Sequence, residues 1–396
     1  MTEPIRKTPY FPYPPKATGF LKGTNEEEAF GFEGRAGEFL RPRFIDNFED
    51  SVLILAQDSS HRLFRSIDNG GNFEEIAFNL IQGGFMIGTG NPDTDKSVLA
   101  IDRESNNSTV YRSTDLTTND PANWEEIISA PSAGHFSRRY GWDVYDNVVL
   151  LGTYGSFNTE NPPRFLYLSI DYGATFKEIE VVSIENMANP SLFHIHDCCY
   201  DPFNSRIWVA TGDQENGNVY YSDDMGGDWN RVYPHGGLIQ PTGVIPLGDR
   251  VLFLPDDRPA GLRVWKRNKL ESDSVVDPND IHFVWATRTL VSGQDHVANI
   301  PAMPRHLLAA TYPYNCVLTL ARSTDETVGA KMVATPDGEH FYDLLRADQY
   351  QLDLTGVTDR GFLGPVPNDP NKYIYGFIDD PSGAGTWFRL KMPEWK

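Results

Sequence analysis

A turn of one composition recurs along this chain and constrains its fold more than any other feature. An apolar run ends in serine, aspartate and glycine follow at fixed offsets, and an aromatic opens the next run. Ser169-Ile-Asp171-Tyr-Gly173-Ala-Thr175-Phe176 is the cleanest copy. Ser66-Ile-Asp68-Asn-Gly70-Gly-Asn72-Phe73 and Ser222-Asp-Asp224-Met-Gly226-Gly-Asp228-Trp229 match it in register. Looser copies are Ser113-Thr-Asp115 with an insertion before Trp124, Thr335-Pro-Asp337-Gly338 before Phe341, and the stretch from Asp380 to Trp387. Aspartate accepts hydrogen bonds from backbone N–H groups two or three residues on, and glycine supplies a positive φ. The aromatic packs back onto the sheet. Recurrence in register makes this a repeat of short antiparallel strands rather than one hairpin.

The strands before the turns read Ser51–Ala56, Ser97–Ile101, Asn147–Gly152, Arg206–Thr211, Arg250–Leu254, His306–Thr311 and Lys372–Phe377. Each follows another short apolar stretch, and the spacing leaves room for four strands with loops. The expected fold is all-β, a single β-propeller of four-stranded antiparallel blades. Seven blades is the count; six is the alternative, if the last unit only closes the ring with the N-terminus. Residues 38–396 make the propeller. Residues 1–37, with Pro-rich Tyr10–Pro15, make an arm that packs outside or lends the closing strand. Closure removes the exposed edges that invite aggregation.

The turn resembles the Asp-box (BNR) repeat of the sialidase-like β-propeller superfamily, S-x-D-x-G-x-T-W, in scattered stretches from about Arg41 to Trp387. Such boxes stabilise hairpins at the periphery, so Asp68, Asp171 and Asp224 read as structural. Sites in such propellers lie over the central channel, on the innermost strands and their loops.

The stretches before each second strand are rich in reactive side chains. The first holds Glu38, Arg41 and Arg43; the third holds His135, Arg138, Arg139, Tyr140, Trp142 and Asp143. The fourth is Phe193-His194-Ile195-His196-Asp197, the sixth holds Asp295, His296 and Asn299, and the seventh Asp359-Arg360. Alternation along a strand turns His194 and His196 to one side. Paired imidazoles bind a metal or move protons near neutrality; the plainer reading is a core histidine satisfied by a carbonyl. One divalent metal near His194 and His196 needs a third ligand, for which His296 or Asp197 is the guess. Asp213, in Thr211-Gly-Asp213-Gln, reads as a turn residue that could instead face the same mouth. Guanidinium forks at Arg41, Arg43, Arg138, Arg139 and Arg360 suit a carboxylate or sulfate. His194, His196 and Tyr140 form the expected catalytic set, and Trp142 and His296 join the arginines as substrate-binding residues.

Charge narrows the partners. A net charge of −21 repels polyanions and argues against nucleic acid or an anionic membrane as the main partner. Cys198, Cys199 and Cys316 lack the spacing of a zinc site or a disulfide framework and read as buried thiols. Met1 to Phe20 carries charges and five prolines without an apolar core, so no signal peptide is visible. A cytoplasmic, released or virion-associated protein is expected.

The resemblance implies glycan chemistry in more than one form. Sialidases of this superfamily carry an arginine triad, a Tyr/Glu nucleophile pair, an aspartate acid/base and an F-R-I-P motif. The nearest stretch here, Phe39-Leu-Arg41-Pro42, keeps Arg-Pro but not the order. Seven-bladed relatives act as lyases on uronic-acid polymers, using a cation for the carboxylate and His and Tyr for the protons. Hydrolysis needs two facing carboxylates about 5–10 Å apart, for which Glu38, Asp143, Asp197 and Asp295 are candidates. The expectation is an enzyme cleaving an anionic glycan, by hydrolysis or by β-elimination. The competing expectation is a non-catalytic glycan-binding or structural propeller, such as a component of a phage particle.

Overall fold

The computed structural model describes residues 97–232 almost continuously, except 105–106, 116–119, 130, 137–140 and 156–159, together with shorter strands on either side. Within that compass the fold is all-β and antiparallel, with seven separate sheets among the described residues. The first runs Arg41–Phe48, Ser51–Gln57, Leu63–Ser66, Glu74–Ile76, and the second Phe85–Gly88, Val98–Glu104, Asn107–Ser113, Trp124–Ile128. In the third, His135–Phe136 and Trp142–Tyr145 both pair with Val148–Tyr154, and Phe165–Ser169 and Lys177–Glu180 follow. The fourth is His194–Asp201, Arg206–Gly212, Asn218–Ser222, Asn230–Arg231, and the fifth Pro241–Leu247, Arg250–Pro255, Gly261–Lys266, Ile281–Ala286. The sixth shows Thr319–Ala321, Lys331–Ala334 and Tyr342–Arg346; the expected strand His306–Thr311 lies outside the described residues. The seventh is Arg360–Leu363, Tyr373–Ile378, Thr386–Lys391, with Ala17–Leu21 paired antiparallel on its outer side.

The first strands of successive sheets face one another. Trp142–Tyr145 packs on His194–Asp201, which packs on Pro241–Leu247, and Arg41–Phe48 touches both Phe85–Gly88 and Arg360–Leu363. Apolar layers fill the gaps. Leu99, Ile101, Phe136, Val149 and Leu151 lie between the second and third sheets. Leu150, Leu166, Ile195, Ile207 and Val209 lie between the third and fourth, and Trp208, Ala210, Val219 and Phe253 between the fourth and fifth. Successive strand residues point to opposite faces, so a strand buried on both sides reads as a continuous apolar run. Val148-Val-Leu-Leu151 and Ile207-Trp-Val-Ala210 are such runs, feeding two layers each. Cys198 and Cys199 are buried thiols in different layers for the same reason.

Two buried carboxylates tie neighbouring sheets together. The Tyr200 N–H donates to Asp143 Oδ2 at 2.9 Å, from the fourth sheet to the third. The Val244 N–H donates to Asp197 Oδ2 at 2.8 Å, from the fifth sheet to the fourth. Both aspartates sit on first strands and are at most 2% exposed.

At the far end of the third and fourth sheets lie the turns singled out by composition. Ser169 Oγ donates to Asp171 Oδ1 at 2.7 Å and accepts from the Gly173 N–H at 2.8 Å. The Thr175 N–H and hydroxyl donate to the same carboxylate at 2.9 and 2.6 Å. Ser222 and Asp224 repeat this with the N–H groups of Gly226, Gly227 and Asp228. Gly173 and Gly226 have φ of 77° and 85°, and each presses on the preceding sheet. A Cβ on Gly226 would lie 2.7 Å from Ile179 Cδ1. The looser copy at Ser113 holds by a bond to the Asp115 carbonyl and by Asn123 to the Asp115 carboxylate. The copies at Asp68, Asp337 and Asp380 lie outside the described residues. No helix among the described residues is long and apolar enough to cross a membrane.

Candidate functional site

The opposite end of the fourth sheet gathers ionisable groups, and the hairpin explains how. His194–Asp201 runs antiparallel to Arg206–Gly212 with His194 opposite Gly212, so Asp213 emerges beside the start of the first strand. The Asp213 N–H donates to the Leu192 carbonyl at 3.0 Å, and the Asn216 side chain cross-links to both the N–H and the carbonyl of Asn189. Both arms of the site are thereby held by backbone bonds.

The ladder shifts register at the site. Ile195 pairs Thr211 and Asp197 pairs Ala210, which leaves His196 as an extra residue. A bulge of this kind re-aims one side chain out of the regular alternation. Strict alternation alone therefore does not describe His196, yet its ring reaches His194, with centroids 4.6 Å apart and edge to face. Arg43 occupies the same extra place in the first sheet and Thr242 in the fifth. In the third sheet Phe136 pairs Thr153 and Trp142 pairs Leu151, and the Gly152 N–H donates to the Gly141 carbonyl.

Both imidazoles are buried and turn Nε2 toward one carboxylate oxygen. His196 Nε2 lies 3.3 Å from Asp213 Oδ1 and His194 Nε2 3.9 Å from it. His196 Nδ1 lies 2.9 Å from the Pro241 carbonyl, which only accepts, so the ring proton of the neutral form sits on Nδ1 and the Nε2 lone pair faces Asp213. Nε2 of His194 is buried without a hydrogen-bond partner. Burial, then the neighbouring His196, drive the His194 pKa down to about 3, against smaller opposing effects of Asp213 and of a backbone hydrogen bond at Leu192. At neutral pH His194 is therefore an uncharged base, and its contact with Asp213 is not an ion pair.

The donor atoms of His194, His196 and Asp213 lie within 4.8 Å of one another, a set able to hold a metal ion. Close packing fixes the rings. A Cβ on Gly212 would stand 2.0 Å from His196 Cε1, so the ring lies against bare backbone. Tyr154, half-buried at the end of the third sheet's second strand, sets its ring edge-on to His194 at 4.5 Å and to His135 at 6.0 Å.

The other expected site residues scatter between described and undescribed regions. Arg41, Arg43 and Arg360 lie at the starts of the first strands of the first and seventh sheets. Trp142 is half-buried and packs against the layer between the second and third sheets. Arg138, Arg139, Tyr140 and His296 lie outside the described residues, as do Glu38 and Asp295. Of the two guessed third ligands, His296 lies outside the described residues and Asp197 accepts from the Val244 N–H, while the carboxylate grouped with the two imidazoles is Asp213. Tyr154 was missed. Its only signal in the sequence is that it ends a second strand, as Asp213 nearly does.

No family model matches the chain, and no curated protein matches it. Solved structures do. YCF48 from Cyanidioschyzon merolae aligns with a TM-score of 0.50 at 12% identity, over 89% of this chain and 96% of that one. YCF48 bound to D1 peptide aligns with 0.51 at 9% identity, over 98% and 99%. A GH74 xyloglucanase from Xanthomonas campestris aligns with 0.51 at 15% identity, over 88% of this chain and 55% of the enzyme. At such identities the likeness concerns the fold alone: the chain is built as a β-propeller.

Proposed function

We propose that the chain is a carbohydrate-active β-propeller that cleaves an anionic glycan by β-elimination at the mouth where His194, His196 and Asp213 converge. The convergence of these three groups, within 4.8 Å, carries the reading. Seven blades account for the seven sheets and for the contact between the first strands of the first and last of them. In this reading residues 1–37 are an arm lending Ala17–Leu21 to the last blade, 38–396 are the propeller, and the Ser-Asp-Gly turns are Asp boxes of the sialidase-like class.

Elimination is preferred to hydrolysis because Asp143 and Asp197 are occupied as buried clamps between sheets. Eliminating a uronate needs a base for the proton beside the carboxylate, a donor for the leaving oxygen, and positive charge for the carboxylate itself. The C–O bond breaks as the C=C bond forms, and the proton removed is matched by the one returned. His194, His196 and Tyr140 are the catalytic set. Arg41, Arg43, Arg138, Arg139 and Arg360 meet the anion, with Trp142 and His296 beside them. The bulges that single out Arg43 and His196 at one level of two sheets support that grouping.

Incubation with acidic polysaccharides and sialosides, following absorbance near 235 nm and reducing ends together, tests this. Both signals rising supports elimination. Reducing ends or free sialic acid without absorbance replaces it by hydrolysis. Silence in both favours a non-catalytic binding or structural propeller. The observation behind that second reading is the alignment, over nearly the whole of both chains, with YCF48, which is seen bound to a peptide.

A further inference from the structure

We propose that His194, His196 and Asp213 form a binding site for one divalent first-row transition-metal ion, held through the two Nε2 atoms and Oδ1. This inference goes beyond the glycan reading and does not depend on it.

Three independent features of the geometry point to an ion rather than to a packed histidine pair. The first is direction. His196 Nδ1–H is committed to the Pro241 carbonyl, so Nε2 presents its lone pair to Asp213 Oδ1 at 3.3 Å. A backbone carbonyl on the remote nitrogen is how ligating histidines are commonly oriented. The second is an orphan. His194 Nε2 is buried, has no hydrogen-bond partner, and looks at the same carboxylate oxygen from 3.9 Å. A buried polar atom left unpaired costs free energy, and a bound cation would satisfy it. The third is spacing. A tetrahedral zinc with ligands at about 2.0–2.1 Å sets neighbouring donors roughly 3.4 Å apart. The three donors lie within 4.8 Å, so small ring rotations close the set.

Ligand chemistry selects the class of metal. Two imidazoles and one carboxylate suit zinc, manganese, iron or copper in their divalent states and do not suit calcium, which takes oxygen. Three protein ligands leave at least one position open. It faces the Asp213 side, where the side chain is 34% exposed while both imidazoles are sealed. Loaded, the site would hold a water or a substrate oxygen there. The histidines would then serve as ligands, so the proton-transfer role proposed for them above belongs to the metal-free site.

The test uses the full chain stripped with a chelator and dialysed against metal-free buffer. Titration calorimetry with zinc, and cobalt(II) absorbance in the visible, are read on the wild type and four variants. Expected are one ion per chain, a cobalt ligand-field band of four- or five-coordinate type, and loss of both in His194→Gln and His196→Gln. Asp213→Asn, at a half-exposed position whose shape the asparagine keeps, should weaken zinc at least about tenfold. Asp171→Asn at the opposite end should change nothing. Circular dichroism confirms that each variant is folded; should a histidine variant fail, Asp213→Asn decides. A folded wild type that takes up no stoichiometric zinc at micromolar concentration overturns the proposal, as does wild-type binding by Asp213→Asn. Zinc bound with every glycan left intact upholds the ion and sinks the elimination reading, so the two fail separately.

Discussion

Asp213 and Asp224 belong to the same sheet, eleven positions apart in the chain, and do opposite things. Asp213 follows the second strand at the mouth; Asp224 follows the third at the far end. The Asp224 carboxylate accepts from the Ser222 hydroxyl and from the N–H groups of Gly227 and Asp228, at 2.7 to 2.9 Å. Those donors come from its own loop, so the carboxylate closes a turn and has nothing left to offer. The Asp213 carboxylate faces two ring nitrogens, one of which, His194 Nε2, is buried without a hydrogen-bond partner. An aspartate surrounded by local backbone donors is architecture, whereas one that meets lone pairs from another strand is available for chemistry.

The sharpest way to break this comparison is to exchange the losses. Asp213→Asn and His196→Gln should lower activity on the responsive glycan by about 100-fold or more, the scale of removing a group that acts in proton transfer or charge stabilisation. The Asp213→Asn midpoint should stay close to wild type, whereas His196→Gln, at a buried ring bonded to the Pro241 carbonyl, should lose stability as well. Asp224→Asn should do the reverse, lowering the midpoint and leaving the turnover alone. Equal activity losses at both ends would erase the distinction.

Next in size are the changes that test how backbone supports each end. Gly226→Ala forces a Cβ onto a residue at φ 85° and into Ile179, and should cost about 1–2 kcal/mol in a denaturant titration. Gly212→Ala meets the His196 ring instead, so its larger effect should fall on ligand binding. Asp197→Ala removes the acceptor for a buried N–H between sheets and should cost about 1–3 kcal/mol with no direct effect on the mouth. A Gly212→Ala protein that bound and turned over like wild type would show the ring to be a spectator.

Much of the far end could be read from the sequence, and less of the mouth. Asp171 and Asp224 bond to residues within four positions, so their whole environment is written in one short stretch. Runs such as Val148-Val-Leu-Leu151 announce strands buried on both faces. His194 and His196 were visible as a pair. Asp213 was legible only as a turn residue that could face the same mouth, because the pairing of His194 with Gly212 is what brings it to the histidines. The bulge at His196 was equally hidden, since an extra residue shows only against a partner strand. Tyr154 and Pro241 come from the neighbouring sheets, and no local pattern connects them to the histidines. Asp143 and Asp197 looked like catalytic carboxylates by type and position; their backbone donors lie 57 and 47 residues away.

The smallest expected effect concerns acid. Burial is the largest single effect on Asp171 and opposes its ionisation, but the Thr175 hydroxyl and N–H and Ser169 together outweigh it and lower the pKa from the ordinary value. Asp224 is lowered likewise, chiefly by the Asp228 N–H. A folded pKa below the unfolded one adds stability that is complete above the unfolded value, about 3.9, and disappears as pH falls through the folded value. Each turn should therefore loosen only below about pH 4, and by little, since both carboxylates stand largely in solvent. Melting the wild type and Asp171→Asn between pH 3 and 7 isolates the contribution. The variant should begin lower at pH 7, and its deficit should narrow toward pH 3. A deficit that instead stayed constant would mean that the side chain's shape, and not its charge, holds the turn.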